Sequence, residues 1–231
     1  TLSTPEQPAA ALKGYRDITP MVFAGIYPAD SSTYERLRKA IYKLKLNDSS
    51  LTFLPDHSDV LGFGFRCGFL GLLHLEIFQE RLRREFETEI IVTAPTVAYH
   101  VYVKSGDNSF ITSPASLPDP TILDHIEQPV VTVDLITPRE YLGPIMDYIS
   151  QKKGIFLHTE FLEETRAIIR CKLPLSNIIV DFYDKIKNIS AGYASYSYEL
   201  SDYERCSLVK LEILVAEQKA PALTTLVPPE D

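Results

Sequence analysis

Residues 61–76 read LGFGFRCGFLGLLHLE and concentrate the groups that could do chemistry: glycines at 62, 64, 68 and 71, Cys67 and His74. Three chemistries use such residues. A glycine-rich loop wraps phosphates with backbone N–H groups, a Cys–His pair supplies nucleophile and base, and thiolate with imidazole ligates zinc. Gly62-x-Gly64-x-x-x-Gly68 fails the first, because the third glycine of a dinucleotide fingerprint falls one residue earlier. The glycines also sit inside an aromatic, strand-like run rather than in a loop, and no G-x-x-x-x-G-K-[ST] occurs anywhere. Cys67 and His74 stand seven residues apart with no third group to orient a base, while His100, His125 and His158 are scattered. A zinc site needs about four ligands, or three and a water. We therefore expect no catalytic and no metal-binding residue. The glycines read as points of close backbone approach and as a sharp turn from strand to helix.

Carboxylates are plentiful, but Asp181/Asp184 and Glu163/Glu164 fall on an expected helix surface and turn, where solvation explains them. The basic groups carry more information. Lys152 and Lys153 follow a helix, Arg170 and Lys172 lie on a strand, and Lys185 and Lys187 lie on a second helix, with Tyr193, Tyr196 and Tyr198 close by in sequence. Cations interleaved with aromatic rings can hold RNA phosphates and stack on a base. The bland reading is an ordinary mixed-charge surface. A net charge of −8 argues against general nucleic-acid coating, though not against a local basic patch. Three cysteines without CxxC spacing suggest buried, reduced thiols, and no apolar run is long enough to span a membrane.

These residues must be positioned by two successive units. Residues 1–19 read as a linker, and the missing initiator Met suggests a piece of a longer protein. A strand over 21–28 precedes a capping box, Ser32-x-x-Glu35, and a helix with Tyr34, Leu37, Ile41 and Leu44 on one face. Strands over 50–55 and 64–69 follow, then a helix striped by Leu75, Phe78, Leu82 and Phe86, then one long or bent strand over 89–103. Residues 104–126 read as a connector. The pattern then repeats: a strand over 130–136, a capping box at Thr137–Glu140, a helix closed by Lys152, Lys153 and Gly154, and strands over 155–161 and 166–173. A helix from Ser176 to Gly192 and a strand over 194–200 complete it, and SLVKLEILV (207–215) reads as one further strand before a disordered tail. The expected fold class is α+β: two tandem ferredoxin-like β-α-β-β-α-β sandwiches with antiparallel sheets, at 20–103 and 127–204, followed by a C-terminal segment at 205–231.

The same residues resemble the translational GTPases. GFLGLLHLEIFQERLRREF (68–86) is similar to the G-x-G-E-L-H-L-[DE] segment in the third domain of elongation factor G. Glu127-Gln128-Pro129, Thr137-Pro138-x-Glu140-Tyr141-x-Gly143, Lys153-Gly154, Leu173-Pro174-Leu175 and Gly192-Tyr193-Ala194-Ser195 resemble its fifth domain. The two units follow each other without the domain that separates them in elongation factor G. That absence, with PMVFAGIYP, LNDSSLTF and TAPTVAYHVY, points to the elongation factor 4 branch over residues 13–215. The resemblance implies a ribosome-dependent GTPase of translation, acting in back-translocation or fidelity. Its GTPase domain, with GTP and magnesium, would lie upstream of this segment. The first unit would face the small subunit and that GTPase domain, and the second the RNA and proteins of the large subunit. A cytoplasmic protein, with peripheral attachment to the membrane, is implied too. This segment would be a non-catalytic ribosome contact without cofactor of its own. Lys152, Lys153, Lys185, Lys187 and Tyr193 would be its RNA-contact residues, and His74, Glu76 and Arg66 would make structural or interdomain contacts. The alternative is a small-molecule-sensing regulatory pair, since ferredoxin-like sandwiches alone do not fix function.

Overall fold

The computed structural model describes residues 19–162, 165–215, 217–219 and 223–229. Residues 1–18 of the linker expected at 1–19, Glu163 and Glu164 of the expected turn, and residues 216, 220–222 and 230–231 lie outside these.

The first unit runs β1 (Val22–Pro28), α1 (Tyr34–Asn47), β2 (Thr52–Ser58), β3 (Gly62–Phe69), α2 (Leu72–Phe86) and β4 (Ile90–Val92). Its sheet has the order β2-β3-β1-β4, with every pair antiparallel. Ala24 and Ile26 of β1 with Phe65, Cys67 and Phe69 of β3 alternate onto one face, where they meet Leu37, Ile41 and Leu44 of α1 and Leu75, Phe78 and Leu82 of α2. Each large side chain buried there contributes roughly 1.5–3 kcal/mol.

β5 (Tyr99–Val103), β6 (Asn108–Ile111) and β7 (Leu123–Pro138) follow, then α3 (Leu142–Gln151), β8 (Ile155–Leu162), β9 (Arg166–Pro174), α4 (Leu175–Ile178), α5 (Phe182–Ile189) and β10 (Ser195–Cys206). β7 pairs with β10 along one side; along the other it pairs first with β5 and then with β9, which carries β8. The order β8-β9-β7-β10 is again ferredoxin-like, all antiparallel. Its core joins Val131, Val133 and Leu135 of β7 to Ile145, Ile149, Ile169, Leu173, Phe182 and Ile186. The molecule is therefore α+β, with two tandem β-α-β-β-α-β units and open antiparallel sheets. No helix among the described residues is long and apolar enough to cross a membrane.

Several local expectations are corrected. The single strand over 89–103 is two strands in different sheets. Pro95 has no N–H to continue a ladder, and Thr96 instead bridges Phe23 of β1 before the chain enters the second sheet. Within 104–126, β6, a 3-10 turn at Pro114–Ser116 and the start of β7 replace a plain connector. Neither capping box forms. Asp30 accepts from the Ser32 N–H at 2.9 Å and the Ser32 hydroxyl at 2.7 Å, starting a 3-10 turn that delays α1 to Tyr34. Thr137 is buried at the end of β7, and a 3-10 turn at Arg139–Tyr141 leads into α3 without a side-chain cap.

At the end of α3 it is Lys153, not Gly154, that takes the left-handed conformation, at φ +57°. Gly154 serves close approach instead, since a Cβ there would fall 2.9 Å from the Ile149 carbonyl oxygen. The helix expected from Ser176 is split at Asp181, which also has φ +57°. SLVKLEILV holds two short strands, β11 (Val209–Leu211) and β12 (Leu214–Val215). The tail expected to be disordered forms β13 (Gln218–Lys219), paired with β12, and β14 (Thr225–Val227), paired with β11.

Candidate RNA-contact surface

The glycine-rich stretch is a strand, a turn and a helix start. Gly62, at φ +75°, turns the β2–β3 hairpin, and Gly71 stands at the start of α2. Gly64 and Gly68 lie within β3 on the face away from the helices, rather than at the strand-to-helix turn. A Cβ at Gly64 would sit 2.4 Å from the Tyr27 ring, and one at Gly68 would sit 2.9 Å from the Phe23 ring. Their absence of side chain lets two aromatic rings lie on the sheet. The Tyr27 hydroxyl then donates to Asp56 Oδ2 at 3.0 Å on β2. Cys67 faces the core, where burial pushes its thiol pKa far up and leaves it un-ionised. Among the described residues, no group of three or more His, Cys, Asp and Glu could hold a metal ion.

His74 ties the start of α2 to the end of α1. The Leu70 N–H donates to its Nδ1 at 3.1 Å, so the ring proton sits on Nε2 and is donated to Asp48 Oδ2 at 2.7 Å. The other oxygen of Asp48 accepts from the Ser50 N–H at 3.0 Å and from the Ser50 hydroxyl. Burial alone would raise the Asp48 pKa, but the bonds from Ser50 and His74 outweigh it and hold it below the usual carboxylate range. A lowered folded pKa means stability that is complete above the unfolded value, about 4, and lost as pH falls through the folded one. The stability gap between wild type and Asp48→Asn should therefore close as urea titrations move from about pH 5 to about pH 2. An unchanged gap would remove Asp48 from the acid response. Glu76 and Leu73 stand exposed on α2, Leu73 at 68%.

Arg66 has a different place. It projects from β3 away from the helices and is mostly buried. Its guanidinium donates to Thr96 Oγ1 at 2.7 Å and to the Thr112 carbonyl oxygen, and Thr96 Oγ1 donates to that same carbonyl at 2.8 Å. β3 of the first sheet is thereby tied to the segments flanking β5 and β6 in the second. Desolvation lowers the Arg66 pKa, opposed by the nearby Asp56 carboxylate.

The basic residues of the second unit do not form one patch. Lys152 and Lys153 follow the C-terminal end of α3, where Asn177 Nδ2 donates to the Lys152 carbonyl at 2.8 Å. Tyr193 lies beyond α5, and its ring stands 6.5 Å from that of Tyr141, which precedes α3. The ten residues of α3 rise about 15 Å between these ends. Lys187 belongs to the Tyr193 end: its Nζ donates to the Gly192 carbonyl at 3.2 Å and lies 5.5 Å from the Tyr183 ring. Lys185 is exposed on α5. Arg170 and Lys172 are engaged on the open sheet face, by Asp134 at 2.6 Å and Glu204 at 2.9 Å. Tyr196 and Tyr198 are half-buried against the core.

The loop that presents Tyr193 is closely built. Ala191 and Gly192 have φ of +51° and +88°, and the Gly192 N–H donates to the Lys187 carbonyl at 2.7 Å. The buried Ser190 hydroxyl donates to the Ile186 carbonyl at 2.8 Å and accepts from the Ala194 N–H at 2.9 Å. Left-handed backbone at a non-glycine residue such as Ala191 costs about 1–2 kcal/mol. Tyr193 emerges 71% exposed. Beside it stands the Tyr141 ring, while Arg139 lies toward the other edge of the sheet, 5.1 Å from the Phe161 ring of β8. Sequence reasoning missed Tyr141 as the neighbour of Tyr193, since no spacing connects the two.

At the Lys153 end, a cleft of about 440 Å³ is lined by Tyr99, Lys172, Ser176, Asn177, Glu204 and Leu226, among others. Two of its polar groups are already engaged: Lys172 pairs with Glu204, and Asn177 donates to the Lys152 carbonyl.

Residues 125–214 match the family model described as elongation factor G C-terminus. Over 228 residues the chain is 50% identical to elongation factor 4 of Symbiobacterium thermophilum, covering 98% of this chain. The chain is homologous to elongation factor 4. Further matches are elongation factor 4 of Lactococcus lactis, 47% identical over 98% of the chain, and of Parabacteroides distasonis, 49% identical over 98%. The chain spans about 38% of the length of these elongation factor 4 relatives. It corresponds to the third- and fifth-domain region and the start of the C-terminal region, outside the GTPase domain. A crystal structure of a protein from Thermus thermophilus superposes with a TM-score of 0.53, covering 87% of this chain and 43% of that one. At 15% identity that likeness shows the fold alone.

Proposed function

We propose that this chain is the ribosome-contacting, non-hydrolysing segment of an elongation factor 4, a ribosome-dependent GTPase acting in back-translocation or translation fidelity. Homology over nearly the whole chain carries this reading. The unit at 20–103 would face the GTPase domain and the small subunit, and the unit at 127–204 would meet the RNA and proteins of the large subunit. β5 (Tyr99–Val103) pairs with β7 and so belongs to the second sheet. Such a role places the protein in the cytoplasm.

GTP and magnesium do not fit the residues of this chain. It contains no phosphate-wrapping G-x-x-x-x-G-K-[ST] loop, and its glycine-rich stretch is strand and helix start. In this reading, nucleotide chemistry would be the work of a GTPase domain like that of the full-length relatives.

Within the second unit, the end that carries Lys185, Lys187 and Tyr193 is the better RNA surface. The open sheet face carries the Arg170–Asp134 and Lys172–Glu204 pairs, so its cations are already neutralised. Sedimentation of the chain with large ribosomal subunits tests the choice. Lys185→Glu with Lys187→Gln should weaken binding several-fold and reduce the salt slope by about one for each phosphate no longer neutralised. Lys152→Glu, at the far end of α3, should change neither. If only Lys152→Glu weakens binding, the surface lies at the other end.

A further inference from the structure

Tyr141 and Tyr193 come from opposite sides of the second unit's helical layer, one before α3 and one after α5. Their rings lie 16° from parallel with centroids 6.5 Å apart. Aromatic pairs span about 4.5–7 Å, so this pair is near the open limit, and the 71% exposure of Tyr193 shows that its ring is largely uncovered. The left-handed Ala191–Gly192 step with the Ser190 hydrogen bonds fixes the base of Tyr193. An exposed ring that the backbone is strained to present is a poor device for stability and a good one for stacking. Lys187 adds positive charge beside it, with its Nζ on the Gly192 carbonyl and 5.5 Å from the Tyr183 ring.

We propose that Tyr141 and Tyr193 form a two-ring platform that stacks one unpaired nucleobase of an RNA loop, with Lys187 serving the adjoining phosphate. The proposal rests on the ribosome-contact reading and adds the class of RNA element recognised. A paired base in an A-form helix hides its faces, whereas a loop base can be splayed onto aromatic rings. The platform therefore selects single-stranded loop over duplex at equal charge.

The test titrates the chain with a stem-loop RNA carrying 2-aminopurine in its loop, and with a duplex RNA of equal charge. Large ribosomal subunits are sedimented with the chain in parallel. The loop probe should be quenched on binding and the duplex should bind more weakly. Stacking on an aromatic ring is worth about 1–3 kcal/mol per base, so Tyr193→Leu and Tyr141→Leu should each weaken loop binding by about 5- to 150-fold. Tyr193→Trp should retain binding. The double variant should be little worse than the more damaging single one, because both rings serve one base. Tyr193→Leu changes an exposed side chain, so it decides the matter where Tyr141→Leu lowers stability. Equal binding of duplex and loop, or an unchanged affinity in Tyr193→Leu, overturns the platform. Subunit binding without loop RNA binding overturns the platform and leaves the ribosome reading standing. Failure of both probes overturns both.

Discussion

Gly64→Ala should destabilise the first unit by about 3 kcal/mol, the upper end of the overpacking range. The added Cβ would lie 2.4 Å from Tyr27 Cδ1 and 2.6 Å from the Ile26 carbonyl oxygen. A clash with a side chain relaxes by rotation, but the Ile26 oxygen belongs to the central strand β1 and cannot yield without bending the sheet. The Tyr27 ring is restrained as well, by its bond to Asp56 at 3.0 Å. Alanine's lower conformational entropy in the unfolded chain recovers only about 0.4–1 kcal/mol. Gly71→Ala is the control, since no atom lies within 4 Å of a Cβ there. Urea unfolding should show a lowered midpoint for Gly64→Ala and almost none of that shift for Gly71→Ala. Equal midpoints would mean that the ring does not need the glycine. Tyr27→Leu in the Gly64→Ala background should recover part of the loss and leave the part due to the backbone oxygen.

Arg66→Ala should cost about 2–3 kcal/mol and loosen the joint between the sheets. Hydrogen bonds to a charged donor contribute about 1.5–3 kcal/mol each, offset by the desolvation of the guanidinium itself. Removing Arg66 leaves the Thr112 carbonyl with Thr96 Oγ1 alone and opens a cavity beneath Tyr27 and Asp56. Arg66→Met fills much of that volume without charge, and apolar replacement of a buried charge is often close to neutral. The two variants therefore separate packing from hydrogen bonding. The m-value of denaturant unfolding reads the joint, because it scales with the surface exposed in one cooperative step. A reduced m-value in Arg66→Ala would show the two units unfolding apart. If Arg66→Met proves as damaging as Arg66→Ala, the hydrogen bonds to Thr96 and Thr112 hold the joint. If neither variant moves the midpoint or the m-value, Arg66 does not couple the sheets.

The apolar stripes were legible in the linear chain. Leu37, Ile41 and Leu44, then Leu75, Phe78 and Leu82, recur at helical spacing and are all buried. The alternation of Val131, Val133 and Leu135 likewise gives one buried face of β7. Periodicity works here because it reports a single face meeting a single core. Boundaries were less legible, because they depend on competing local bonds. Asp30 captured Ser32 before the expected capping box could form, and Pro95 and Thr96 divided what read as one strand between two sheets.

Residue type and order alone determined that the chain has no phosphate-binding loop, two β-α-β-β-α-β repeats and the residues shared with elongation factors G and 4. These are properties of local pattern. Only the tertiary structure decided that Gly64 and Gly68 make room for Tyr27 and Phe23, that Arg66 reaches Thr112, and that Lys152 and Lys187 stand at opposite ends. It also brought together Tyr141 and Tyr193, which are 52 residues apart in sequence. Their proximity follows from packing α3 and α5 side by side on one sheet, in opposite directions. Antiparallel packing places the start of one helix beside the end of the other, and no spacing along the chain encodes that neighbourhood.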